Sequence, residues 1–404
     1  METRVQTLSK DLRRISMNST RMTGNPFDLT KASDYSDEQI QQYWVDLAGP
    51  GGLQDLFKPT LIMPMLLLGG KGSGKTHLMR FFSSAVQKLR FNGSLLSAAQ
   101  QEKHIGIYVP ADGLNVGRFD MKGQSDDAWA AVFSYYFELW LATHLLKHVQ
   151  ECLTESPEGF DQRKFISGAK SLFTSERPTS INTIETFIDH LAELRRQVDH
   201  IVANCAIHRS LGEINICISP GSLVFQLPVL INSCTDLFKG VLFVYMIDEV
   251  ENFTVTQQKF LNSLIRYRSG PVSIKIGARL YGLHTKGTLG AGEEIKQNAE
   301  FEKVELDAWL REHDEGYNGL ARALILKRLQ QFQLLPPGGD DNKWLEQQFE
   351  KLDPSNNYQI VTLALVRKYD EKGELRPYFK KLKEVLSKLM GSSANSSTQI
   401  ITDA

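Results

Sequence analysis

The run Gly69-Gly70-Lys71-Gly72-Ser73-Gly74-Lys75-Thr76 has the spacing G-x-x-x-x-G-K-[ST]. Glycines at these places let a loop wrap closely, so that backbone N–H groups face phosphate oxygens. The helix that follows adds positive potential at its N-terminus. In such a loop Lys75 reaches the β- and γ-phosphates of a nucleotide and the Thr76 hydroxyl holds Mg²⁺. The bland alternative is a glycine-rich turn. An apolar run before the motif and a helical pattern after it favour a phosphate-binding loop, a Walker A motif, with ATP and Mg²⁺ as its ligands.

A second element is Val241 to Ile247, seven consecutive apolar residues closed by Asp248-Glu249. A buried strand ending in two carboxylates places Asp248 where it can complete a Mg²⁺ shell. Glu249 can then orient and polarise an attacking water. An acidic turn capping the next helix is the alternative reading of this Walker B-like segment. The third element is Ser273-Ile274-Lys275-Ile276-Gly277-Ala278-Arg279, a strand with an arginine just past its end. In a parallel sheet such strand ends face the nucleotide crevice, so Arg279 is a candidate reader of the γ-phosphate. Arg266 and Arg268 end the intervening helix and are candidates for a finger reaching a neighbouring subunit. A helix C-terminus also favours cations unaided.

These residues need a sheet to hold them. Met63 to Leu68, His104 to Val109, Val241 to Ile247, Val272 to Ile276 and Phe301 to Leu306 read as strands, most of them continuously apolar as in a buried parallel sheet. Ser36 and Gln39 have capping-box spacing before a helix marked by Ile40, Tyr43, Trp44 and Leu47. Further helices are expected over Lys75 to Leu89, Asp126 to Val149, Thr183 to Ile207, Ser222 to Phe238 (despite Pro228) and Thr256 to Tyr267. From Leu306 the pattern turns helical: Trp309 to Glu312, Tyr317 to Phe332, Trp344 to Leu352, Ile360 to Tyr369 and Arg376 to Met390. Strands alternating with helices, then a helical tail, indicate an α/β sheet domain with a helical lid.

Composition removes several classes. Across 404 residues, 46 Lys+Arg stand against 47 Asp+Glu, which implies no general polyanion-binding surface. The longest apolar run, Leu61 to Leu68, interrupted by Pro64, is far short of the roughly 20 residues of a membrane span. The polar, mildly basic first residues are not a secretory signal. Cys152, Cys205, Cys217 and Cys234 are widely spaced without a C-x-x-C pair, as in a cytoplasmic protein with reduced thiols.

The phosphate loop, the strand ending Asp248-Glu249-Val250-Glu251 and the post-strand Arg279 together resemble the Orc/Cdc6-like branch of AAA+ ATPases and the related STAND signalling ATPases. Asn25-Pro26-Phe27 resembles the segment that packs on adenine in those families, and the resemblance spans Asn25 to Phe332. It implies an αβα P-loop NTPase sandwich with a parallel sheet, a helical insertion and a C-terminal helical lid. ATP and Mg²⁺ would be its ligands, and nucleotide would control assembly. The nucleotide-contacting set becomes Gly69, Gly70, Lys71, Gly72, Ser73, Gly74, Lys75, Thr76, His77 and Phe27. Thr76 and Asp248 are expected at the metal, and Glu249, Lys75 and Arg279 in catalysis. A lid arginine is expected at phosphate, with Arg322 and Arg328 as candidates.

The implied organisation is a flexible arm over 1–24, an ATPase domain over 25–305, a lid over 306–390 and a disordered tail over 391–404. Lys75 and Asp248 lie 173 positions apart, which calls for an insertion at about 125–215, a candidate partner-binding element. About 60 residues follow Gln330 before the tail, few for a DNA-binding winged helix, and the charge balance carries no strong DNA footprint. The expected activity is an ATP-driven switch with a protein partner and nucleotide-dependent homo-oligomerisation, in a setting such as bacterial defence or a mobile element. The alternative is a DNA-binding loader or initiator.

Weaker signals have bland readings. His144 and His148, one turn apart, are read as helix-surface histidines. His190, His200, Cys205 and His208 are read as ordinary structure. The aromatic stripe 129–140 is core or a partner interface, and the basic residues 367–388 form a solvated face.

Overall fold

A computed structural model describes residues 25–46, 52–174, 177–312 and 314–349. The arm, the tail, the helices expected over 360–369 and 376–390, and the basic residues 367–388 lie outside the described residues. The chain divides into two compact units, Met1–Leu334 and Leu335–Ala404.

The first unit is built on five strands: β1 (Met65–Leu68), β2 (His104–Pro110), β3 (Leu242–Asp248), β4 (Val272–Ala278) and β5 (Glu302–Glu305). Their order is β2-β3-β4-β1-β5, with every pairing parallel. The three central strands are buried along their whole length, which explains the unbroken apolar runs of β1 and β3, while β4 buries Ser273 and Lys275 as well. Alternate residues serve opposite faces. Leu242, Val244 and Met246 join one hydrophobic layer with Met65 and Leu67, whereas Phe243, Tyr245 and Ile247 join the other with Leu66 and Leu68. The result is an α/β fold with helices on both faces of a parallel sheet, as expected.

On the first face lie α1 (Asp37–Gln42), α2 (Leu53–Phe57), α3 (Lys75–Phe81) and α4 (Ser84–Arg90). The capping box of Ser36 and Gln39 is present in full. The expected helix does not run on to Leu47, however. It stops at Gln42, and Trp44 leaves it to stack on Phe81, with ring centroids 3.7 Å apart and planes within 8°. The single helix expected over Lys75 to Leu89 is also broken in two. Ser83 is extended, stands at the N-terminal boundary of α4 and donates its hydroxyl back to the Arg80 carbonyl. A side chain at Gly106 of β2 would place its Cβ 2.0 Å from the Phe82 carbonyl oxygen, so the strand backbone and the break fit against each other.

The other face carries α5 (Leu95–Glu102), α6 (Asp126–Glu155), α7 (Gln162–Ser171) and α8 (Ile184–His208). A π-helical turn, Ser222–Gln226, leads into α9 (Leu227–Cys234), and α10 is Val255–Arg266. The aromatic stripe of α6 is core. Phe133 and Phe137 meet Phe253 and Phe260 edge-on, with centroids 5.5 to 6.0 Å apart. The buried Glu138 accepts the Gly221 amide at 2.6 Å and the Leu223 amide at 3.3 Å, tying α6 to the π-helical turn. Burial pushes its carboxyl up to about 7.

His144 and His148 are half-buried rather than fully exposed. Trp140 covers His144 edge-on, and His148 lies 3.0 Å from the Ser84 hydroxyl. Burial lowers both imidazoles to about 4. Among the described residues, no cluster of three or more His, Cys, Asp or Glu is arranged to hold a metal. No described helix is long and apolar enough to cross a membrane.

After β5 come α11 (Leu306–Glu312) and α12 (Asp314–Gln331), both within the first unit. The second unit contributes α13 (Asp341–Gln347).

Candidate nucleotide-binding site

The glycine loop leaves β1 at its C-terminal end and enters α3. Gly72 and Gly74 have φ of +87° and +95°, a region that side chains disfavour, so the motif's glycines are needed where they stand. Lys75 turns back into the loop. Its ammonium donates to the carbonyls of Gly69 and Gly70 at 2.8 and 2.9 Å and lies 3.4 Å from the Ser73 hydroxyl. Burial lowers its pKa, while Asp248, Glu251 and Asp307 act in the opposite direction. Lys71 is exposed on the rim.

The two main motifs meet. The Thr76 hydroxyl donates to Asp248 Oδ2 at 2.7 Å, although the residues are far apart in sequence. β3 brings this about by lying one strand from β4, which in turn pairs with β1. Gly277 of β4 faces the same carboxylate, and a Cβ there would lie 2.5 Å from Asp248 Oδ1 and 2.6 Å from the Met79 sulfur.

Asp248 is only 1% exposed. Burial raises its pKa, opposed by hydrogen bonds from Thr76, the Glu249 amide and Tyr108. Glu249 follows in a left-handed conformation, φ +62° and ψ +35°, which is sparsely populated for a side chain of this kind and clusters at functional sites. Its carboxyl is raised above the usual range by burial first, then by the charges of Asp112, Asp248 and Glu251.

The arginines fall differently. Arg279 lies just past β4, 63% exposed at its side chain, with Nε 3.0 Å from Glu251 Oε1. Its own amide donates to Glu251 Oε2 at 3.2 Å. Arg266 is engaged within its own chain, with Glu300 at 2.7 Å, Glu293 at 3.5 Å and the Glu294 carbonyl at 3.2 Å. A helix-ending cation that closes a local ion-pair cluster needs no neighbouring subunit. Arg322 is placed on α12. Arg328, the other candidate for the lid arginine, bonds to the Tyr35 hydroxyl and lies 5.2 to 5.6 Å from the rings of Phe27, Tyr35 and Tyr43.

Phe27 and His77 therefore border one aromatic cluster. His77 stacks on Trp44 with centroids 6.0 Å apart and meets Tyr35 edge-on at 6.3 Å. Burial lowers its pKa to about 4. Arg80 fastens the N-terminal segment to α3 through the carbonyls of Ala32 and Tyr35 and the carboxylate of Asp37.

Sequence reasoning missed three side chains at this site. Tyr108 donates to Asp248 Oδ2 at 3.2 Å. Asp307 accepts the Gly70 amide at 2.5 Å, and Asp112 acts electrostatically on Glu249. All three sit at or just past the C-terminal end of a strand, the position that parallel sheets reserve for ligand contacts. That positional signal was available from the strand assignments alone.

Comparison with known proteins agrees with this geometry. The chain matches no curated protein and no solved structure. The model of the ORC-CDC6-like family matches residues 25–401, beyond the Phe332 limit of the motif resemblance. With a parallel sheet, a glycine loop closed on a strand-end aspartate and this match over most of its length, the chain belongs to the ORC-CDC6-like family of AAA+ ATPases.

Proposed function

We propose that the chain is an ATP-binding and ATP-hydrolysing switch that couples its nucleotide state to self-assembly or to control of a protein partner. The observation that carries this reading is the 2.7 Å contact of Thr76 with Asp248 beneath a lysine already turned into the glycine loop. Thr76 Oγ1 and Asp248 are adjacent hard oxygen donors, a set that suits Mg²⁺, and these two residues would hold it. Bound Mg²⁺ would neutralise charge on the β- and γ-phosphoryl oxygens.

The chain's own residues do the rest. Loop amides and Lys75 bind the phosphates, Lys75 being preset by the Gly69 and Gly70 carbonyls. Glu249 orients water and takes its proton as the water oxygen bonds to the γ-phosphorus and the bond to the bridging oxygen breaks. Residues 25–305 act as the ATPase domain, 306–390 as the lid and 125–215 as an insertion available to a partner. Particle mass with ATP, with ADP and without nucleotide, using Glu249→Gln to hold the ATP state, tests the reading. Assembly confined to ATP supports it, and one mass under all conditions removes self-assembly.

Family membership favours a second reading, a DNA-binding loader. DNA binding that weakens steeply with salt and is lost on neutralising Lys380, Lys381 and Lys383 would select it.

A further inference from the structure

Asp248 holds three hydrogen bonds in its buried position. Oδ1 accepts the Glu249 amide at 2.9 Å, and Oδ2 accepts both Thr76 at 2.7 Å and Tyr108 at 3.2 Å. The last torsion of an aspartate is soft, so a single donor leaves the carboxylate free to twist. The Glu249 bond belongs to the residue's own backbone neighbour, and the Thr76 oxygen is wanted at the metal. Tyr108 has neither commitment. It stands on β2 opposite Met246 of β3, two residues before the Pro110–Asp248 pair, and its hydroxyl reaches forward along the strand to the carboxylate.

We propose that Tyr108 is a positioning residue for the metal-binding carboxylate, its O–H fixing the plane of Asp248 so that Oδ2 stays beside Thr76. The proposal rests on the nucleotide reading above and adds to it a residue from a third strand. Partners that orient a ligand from behind are typically worth about 10- to 100-fold in metal affinity.

The test is Tyr108→Phe, which removes one oxygen and leaves the ring. Binding of a fluorescent, non-hydrolysable ATP analogue is measured in EDTA and then across a Mg²⁺ titration, so the readout does not depend on turnover. The expected result is unchanged affinity in EDTA, with the Mg²⁺ concentration for half-maximal tightening raised about tenfold. An unchanged Mg²⁺ midpoint overturns the proposal. So does an equal loss of affinity in EDTA, because the hydroxyl would then merely shape the loop. Wild-type protein that binds no analogue with or without Mg²⁺ overturns the nucleotide reading, and this inference with it. That failure shows in wild type alone and is distinct from the other two.

Discussion

The Gly70 amide donates to the Asp307 carboxylate at 2.5 Å, joining the phosphate loop to the first turn of α11. A carboxylate there opposes the approach of phosphate, since like charges about 4 Å apart cost on the order of 1 kcal/mol at water-like dielectric. Asp307→Ala is expected to tighten ATP and ADP binding by roughly three- to tenfold, measured by calorimetry. Weaker binding would show that the contact holds the loop in its competent shape.

Glu249 must be ionised to accept a proton. Burial and the neighbouring carboxylates raise its pKa, so the acid limb of the rate–pH profile is expected above the ordinary glutamate range. Asp112→Asn removes one of the repelling charges and should move that limb to lower pH. A limb that stays in place would assign it to another group.

Arg266 serves its own fold. Arg266→Ala is expected to cost about 1–2 kcal/mol of stability by freeing Glu300 and Glu293, with the same particle mass in ATP as wild type. Loss of assembly without loss of stability would restore the role of an intersubunit finger.

Lys275 is fully buried in β4, its ammonium donating to the Leu61 and Met63 carbonyls at 3.2 and 3.1 Å. Burial lowers its pKa from 10.5 to about 7. Between these values the unfolded chain binds more protons than the folded one, so this residue's contribution to stability rises with pH across that window and is lost as pH falls towards 7. The unfolding midpoint of wild type minus that of Lys275→Met should therefore climb between about pH 7 and pH 9. A flat difference would mean that the amine is charged in the fold.

The sheet was legible because its central strands are buried on both faces and two of them, β1 and β3, read as apolar runs, and the glycine loop because its φ angles demand glycine. What escaped was set by contacts distant in sequence. No local pattern announces that Trp44 quits its helix for Phe81, or that Phe82 must yield to Gly106. Nor does spacing reveal that His148 turns inward to Ser84. Arg328 shows the same limit, since its neighbours come from α12 and from a segment almost three hundred residues earlier. Tyr108 and Asp307 lay at strand ends that were already recognised, and only the backbone path aimed them at Asp248 and Gly70.

The rings of Phe133 and Phe137 on α6 interlock with Phe253 and Phe260, which flank the turn after Glu249 and the helix beyond it. The segment between the two nucleotide motifs is therefore no detachable ornament. Excising it to make a minimal ATPase would strip the lining from one side of the sheet and leave bare aromatic faces in water. Such a truncation should be insoluble, and any partner that grips α6 takes hold of the same interior that supports the turn after β3.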